Sequence, residues 1–230
     1  MALFEGFPKS CIPYLKKLAK NNNRPWFNEH KQRYEDDVRS PALAFVEVMG
    51  PQLKKHLSPH FLAQPKKVGG SLMRVYRDTR FANDKTPFKT NVGIQFRHEL
   101  GKDVHAPGFY LHIEPGNCFL GAGIWRPESK VLAAIREFIA DNPNGWREAV
   151  GARAFKKDWE LVGTTLVRPP RGFEPDHPLI VDLKRKDFIA CMNFADSEIN
   201  NPKFPDFVIR HYKHSAALIS YLCMAIEVDY

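Results

Sequence analysis

The run Phe109-Tyr110-Leu111-His112-Ile113-Glu114, followed by Pro115-Gly116-Asn117 and then Cys118-Phe119-Leu120-Gly121-Ala122-Gly123-Ile124-Trp125, decides the fold. Both flanks alternate with a period of two, and extended backbone sends successive side chains to opposite faces. The Pro-Gly-Asn between them is turn chemistry, so the two flanks read as an antiparallel hairpin. Outward from this hairpin, residues 92–98 and 72–77 are short, alternating and rich in β-formers, and residues 187–194 read as a further strand.

The same parity assigns faces. Val92, Ile94, Phe96, Phe109, Leu111, Ile113, Leu120, Ala122 and Ile124 share one side, which must be core. The other side carries Lys89, Gln95, Arg97, Tyr110, His112, Glu114, Phe119 and Trp125, with Gly93, Gly121 and Gly123 among them. Residues 72–77, taken as a strand of the same sheet, add Arg74, with Asp78 just beyond. A solvent face is usually Lys, Glu and Thr. Arginine, aromatic and glycine positions instead make the walls and floor of a pocket.

Farther out the period changes to 3.6. Residues 13–20 are helical. Pro25 suits the first turn of a second helix carrying Phe27, Tyr34 and Val38, and Pro41 is expected to break or kink it before residues 42–57 resume. Residues 128–140 and 207–226 are helical again, the latter as one helix or two, and residues 166–178 form a Pro/Arg-rich loop. Helices at both ends of a mostly antiparallel middle predict an α+β fold, a central meander flanked by N- and C-terminal helices. With no repeat or linker, residues 1–230 read as a single domain: helical over 8–57, sheet core over 71–125, helices and a further strand over 128–227.

Composition excludes several classes. The chain has 230 residues, 43% hydrophobic and 12% aromatic, which is unlike a disordered segment. The longest nearly apolar stretch, residues 215–226, is too short to cross a bilayer, so no membrane association is expected. Cys11, Cys118, Cys191 and Cys223 show no C-x-x-C spacing, and the N-terminus lacks an export signal. The expectation is reduced thiols in a cytoplasmic protein. The net charge is +8, and residues 61–100 hold eight Lys/Arg against three Asp/Glu. Residues 153–186 hold eight against five. His211 and His214 have ligand-like spacing on a helix, but the sequence implies no third ligand and no metal is assigned.

The densest charge lies in Arg77-Asp78-Thr79-Arg80-Phe81-Ala82-Asn83-Asp84-Lys85-Thr86-Pro87-Phe88-Lys89-Thr90. Two arrangements are open for it: a salt-bridged loop in which Asp78 and Asp84 pair with Arg77 and Arg80, or an anion site built of the same cations. This run resembles the signature of a widespread conserved family of unknown function. Similar segments are Asn22-Asn23-Arg24-Pro25-Trp26-Phe27, Gly121-Ala122-Gly123-Ile124-Trp125-Arg126-Pro127, and Asp176-His177-Pro178 with Leu183-Lys184-Arg185-Lys186. The chain departs from that pattern at Ala82 and Pro25, and the resemblance brings no activity, cofactor or catalytic residue with it.

Two function classes follow. The first is a small-molecule binding protein or enzyme whose pocket takes a phosphate- or carboxylate-bearing ligand. Arg74, Arg77, Arg80, Lys85, Lys89, Arg97, Trp125 and Arg126 would bind it, with Asp78, His112 and Glu114 as acid/base groups. The second is a nucleic-acid-associated module that binds phosphates through residues 61–100 and 153–186 and stacks bases on Trp26, Tyr76, Phe88 or Trp125.

Overall fold

The computed structural model describes residues 4–101 and 105–230. At its centre lie strands β1 (Val92–Arg97), β2 (Gly108–Ile113), β3 (Cys118–Ile124), β4 (Glu160–Val162) and β5 (Phe188–Phe194). Their spatial order is β1-β2-β3-β5-β4, and every pairing is antiparallel. With helices before and after this sheet, the fold is α+β. Ile94, Phe96, Leu111, Ile113, Leu120 and Ile124 are all fully buried, as their shared parity requires. Burying each such side chain stabilises the fold by about 1.5–3 kcal/mol.

Residues 72–77 correct the expectation. They form no strand: Leu72 makes an isolated bridge to Ile94 of β1, and Tyr76 makes another to Phe88, ahead of β1. Four steps along one segment face six along the other. Two residues' worth of backbone therefore bulges out near Thr90-Asn91, and the register breaks. Hydrogen bonds from Met73 N–H to Gly93 O (2.9 Å) and from Lys89 N–H to Val75 O (2.7 Å) still tie the two segments together. Arg74 and Asp78 are left exposed to solvent.

The helices follow their apolar rows. In α1 (Cys11–Lys20) the buried residues are Cys11, Tyr14, Leu15 and Leu18, one face of a 3.6-residue helix. The Asn23 side chain caps α2 (Arg24–Glu29) by accepting from the Trp26 N–H at 3.0 Å. α3 (Lys31–Tyr34), a π-helical turn at Glu35–Arg39 and α4 (Ser40–His56) then run on without interruption. Pro41 does not break them. It sits in the first turn of α4, just after the wider turn in which the Ser40 N–H bonds to Glu35 O, so its missing donor is absorbed there.

Beyond β3 come α5 (Ser129–Asp141), α6 (Pro143–Gly151) and α7 (Arg153–Asp158), and α8 (Ile180–Leu183) precedes β5. α9 (Phe204–Ala225) is one continuous helix. Its Tyr212 packs on Phe109 of β2 with ring centroids 4.6 Å apart, and its Phe204 packs on Phe45 of α4 at 5.4 Å. No helix among the described residues is long and apolar enough to cross a membrane. With α4 and α9 against the apolar side of the sheet, the opposite side is left open.

Candidate functional site

The strand register turns that open side into three cross-strand rows. The first is Gly93, His112 and Phe119, the second Gln95, Tyr110, Gly121 and Cys191, and the third Arg97, Gly108, Gly123 and Ile189. Small residues in the middle and larger ones around them leave a hollow. It is a cavity of about 500 Å³ whose wall includes Met73, Lys89, Arg97, Tyr110, His112 and Trp125. Gly123 is indispensable to this floor: its φ is +133°, and an added Cβ would lie 2.0 Å from Phe188 O. At Gly93 an added Cβ would lie 2.7 Å from the Tyr110 hydroxyl. The absent side chain is the space into which the phenol reaches.

A polar chain runs along one wall. Tyr110 Oη lies 3.1 Å from His112 Nδ1, and His112 Nε2 lies 3.3 Å from Glu114 Oε2. The carboxylate only accepts, so Nε2 carries the imidazole proton, and Nδ1 accepts from the Tyr110 hydroxyl. Phe119 stacks on the imidazole at 4.6 Å. Thr90 Oγ1 (3.2 Å) and Asn117 Nδ2 (3.1 Å) also donate to Glu114. Burial pushes the His112 pKa down although Glu114 pulls it up, so the ring is neutral near pH 7. Burial alone would raise Glu114, but the hydrogen bonds from Asn117, His112 and Thr90 outweigh it and hold its carboxyl below the usual range. Burial pushes the Tyr110 phenol up to about 12, so it stays protonated and can donate.

Two cations border the same space. Burial, with Arg74 adding repulsion, pushes the Lys89 ammonium below its ordinary pKa. Arg97 donates from Nε to Gly101 O at 2.9 Å. Among the described residues neither has a carboxylate within ion-pair distance. Lys89 precedes the Gly93–His112 row and Arg97 stands in the Gly108–Gly123 row, so the two lie toward opposite ends of the hollow.

The structure brings together His112, Glu114, Lys89, Arg97 and Trp125 of the residues singled out from the sequence. It does not bring Asp78, Arg74, Arg80 or Lys85 there. Arg80 pairs with Asp78 at 2.7 Å in the exposed loop, and the Arg80 guanidinium holds the Asp78 pKa down to about 2. Arg77 pairs with Asp84 and Thr86, and Lys85 Nζ donates to Thr79 O at 2.9 Å. Arg77 borders a smaller, separate hollow that it shares with Asn22, Thr86 and Lys89. Arg126 lies over the Trp125 ring at 4.7 Å, outside the cavity wall, and its N–H donates to Asp187 at 2.9 Å. Of the aromatic residues considered for base stacking, Phe88 is buried against Phe27 and Trp26 stacks on His30 at 4.2 Å.

One contact and two residues escape sequence reading. Parity places Tyr110 on the open face, but its link to His112 depends on rotamers. Asp187 is 3% exposed and accepts from Arg126 N–H, Thr164 N–H and the Thr164 hydroxyl, each at 2.9 Å. It buttresses the turn that presents Trp125. Asp158 stands beside His211 and His214 and supplies the third group that the sequence did not imply. No local signal marks it, because α7 and α9 meet only in the folded chain.

Residues 10–221 match the model of a conserved hypothetical protein family, DUF2461. The chain belongs to that family. No curated protein and no solved structure matches it.

Proposed function

We propose that the chain is a small-molecule binding protein or enzyme whose ligand is an organic anion seated on the open face of the sheet. One observation carries this reading: Lys89 and Arg97, neither facing a carboxylate among the described residues, border an otherwise largely apolar, glycine-floored cavity. A half-buried ammonium held below its ordinary pKa gains most from an incoming phosphate or carboxylate, because the anion restores what desolvation removed. Met73, Phe119, Ile189 and Trp125 suit an apolar or aromatic body between the charged ends. In an enzymatic version neutral His112, oriented by Glu114, is the proton carrier, and the Tyr110 hydroxyl supplies its proton or hydrogen-bonds the ligand.

The test is a thermal-shift and calorimetric comparison of the full chain with aromatic carboxylates, sugar phosphates and a mixed oligonucleotide over a range of salt. The expected result is saturable binding of a small anion that Lys89→Met weakens by about tenfold or more, a loss near 1.4 kcal/mol. Feeble oligonucleotide binding should accompany it. Tight oligonucleotide binding that falls steeply with salt would replace this reading with the nucleic-acid one.

A further inference from the structure

Away from the cavity, the C-terminal end of α7 meets the middle of α9. Asp158 is the last residue of α7, and His211 and His214 are one turn apart on α9. Asp158 Oδ2 lies 3.1 Å from His214 Nδ1 and 3.4 Å from His211 Nδ1. One ligand-type atom from each of the three residues lies within 4.8 Å of the others. The side chains are only 19%, 13% and 30% exposed for Asp158, His211 and His214.

Hydrogen bonding accounts for only part of this convergence. His214 Nδ1 is within bonding distance of the carboxylate. His211 Nδ1 is buried without a hydrogen-bond partner, although it faces the same oxygen. A buried ring nitrogen left unpaired is costly. A cation between the three groups would satisfy both imidazoles and the carboxylate together. Phe207 packs on His211 at 4.5 Å and fixes its ring, and Arg210, the nearby like charge, is held over Phe207.

We propose that Asp158, His211 and His214 form a binding site for a divalent transition-metal ion of the zinc type. Two imidazole nitrogens and one carboxylate oxygen are the donor set such ions take, and about 2 Å bonds to one ion place tetrahedral ligands roughly 3.3 Å apart. The observed 3.1 and 3.4 Å separations already match, so small side-chain rotations complete the site. The bound ion joins α7 to α9, and water fills the position that the protein leaves open.

The experiment uses the tag-free full chain, stripped with chelator and then titrated with Zn²⁺ by calorimetry and with Co²⁺ by visible absorption. One equivalent of each ion should bind, the Co²⁺ form showing tetrahedral d–d bands. The informative variants are His214→Asn, the most exposed of the three, and the nearly isosteric Asp158→Asn. Each should weaken Zn²⁺ binding by more than about tenfold while keeping the wild-type circular dichroism spectrum. If the wild type shows no saturable binding, or if either variant retains wild-type affinity, the proposal fails.

Discussion

The central loop and the open sheet face hold similar residues and use them differently. In the loop, Arg77, Arg80 and Lys85 are packed into a short, turn-rich segment, and each is engaged by a group of the same loop. Lys89, at the end of the same run, and Arg97, on β1, instead border the cavity on the open sheet face, and among the described residues neither meets a carboxylate. Charge density along a sequence therefore does not decide which ions neutralise one another: Arg77 and Arg80 find carboxylates within the run, and Lys89 meets none among the described residues. On the proposed function, charge on a glycine-floored, aromatic-walled surface is what an anionic ligand would meet.

Four substitutions sharpen or break this contrast. The largest effect is expected at Ile113, fully buried beneath the open face. Ile113→Ala should cost ~2–5 kcal/mol in chemical denaturation, the usual range for a truncated core aliphatic. A smaller cost would mean that the sheet is not the rigid base of the site. Next is Gly123→Ala, which meets both a positive φ and the Phe188 carbonyl and should lose roughly 1–3 kcal/mol. It should also reduce any ligand-induced rise in Tm, because the floor must shift.

The third effect is a pH dependence at His112, which faces Tyr110, Glu114, Asn91 and Phe119. Burial holds its pKa below the ordinary 6.5, so the unfolded chain takes up a proton before the folded one does. His112 therefore contributes stability that is present above about pH 6.5 and is lost as pH falls through its lower folded value. Glu114 has the same sign, but its contribution is lost only as pH falls from the ordinary carboxylate range through its lower folded value. The His112→Gln variant should lose less stability than the wild type between about pH 7 and pH 5, measured by denaturation at each pH. A parallel decline in both proteins would place His112 outside the buried network.

The smallest effect is expected in the loop. Arg80→Gln removes one half of an exposed ion pair and should leave Tm and anion binding unchanged. If ligand-induced stabilisation disappears in this variant, the loop and not the sheet face holds the anion.

Much of the fold was legible because burial enforces periodicity. β1, β2 and β3 show it over six or seven residues each, and α1 and α9 through their apolar rows. Residues 72–77 carry the same alternation yet form no strand, since a bulge in the facing backbone is not encoded in their own pattern. β4, with three residues, is too short to display a period at all. Within the site, parity alone places Lys89, Arg97, His112 and Glu114 on one face. What it cannot give is the direction of a side chain leaving a loop. For that reason the alternation groups Arg74 and Asp78 with the face although both are exposed to solvent. Asp158 was invisible for a related reason, because its partners lie more than fifty residues along the chain.

The contact between Gly93 and the Tyr110 hydroxyl has an evolutionary consequence. With only 2.7 Å between that oxygen and a prospective Cβ, a side chain at position 93 requires the phenol at position 110 to shift. The two positions form one heritable unit, neighbours across β1 and β2 but separated in sequence by a whole strand connection. Among members of this family, alanine or serine at the first position should coincide with a shorter residue or phenylalanine at the second. Lineages that made the exchange would have given up the hydroxyl link to the histidine as well. Comparing ligand preference on either side of such an exchange would show whether the phenol serves the chemistry of the site or only fills its wall.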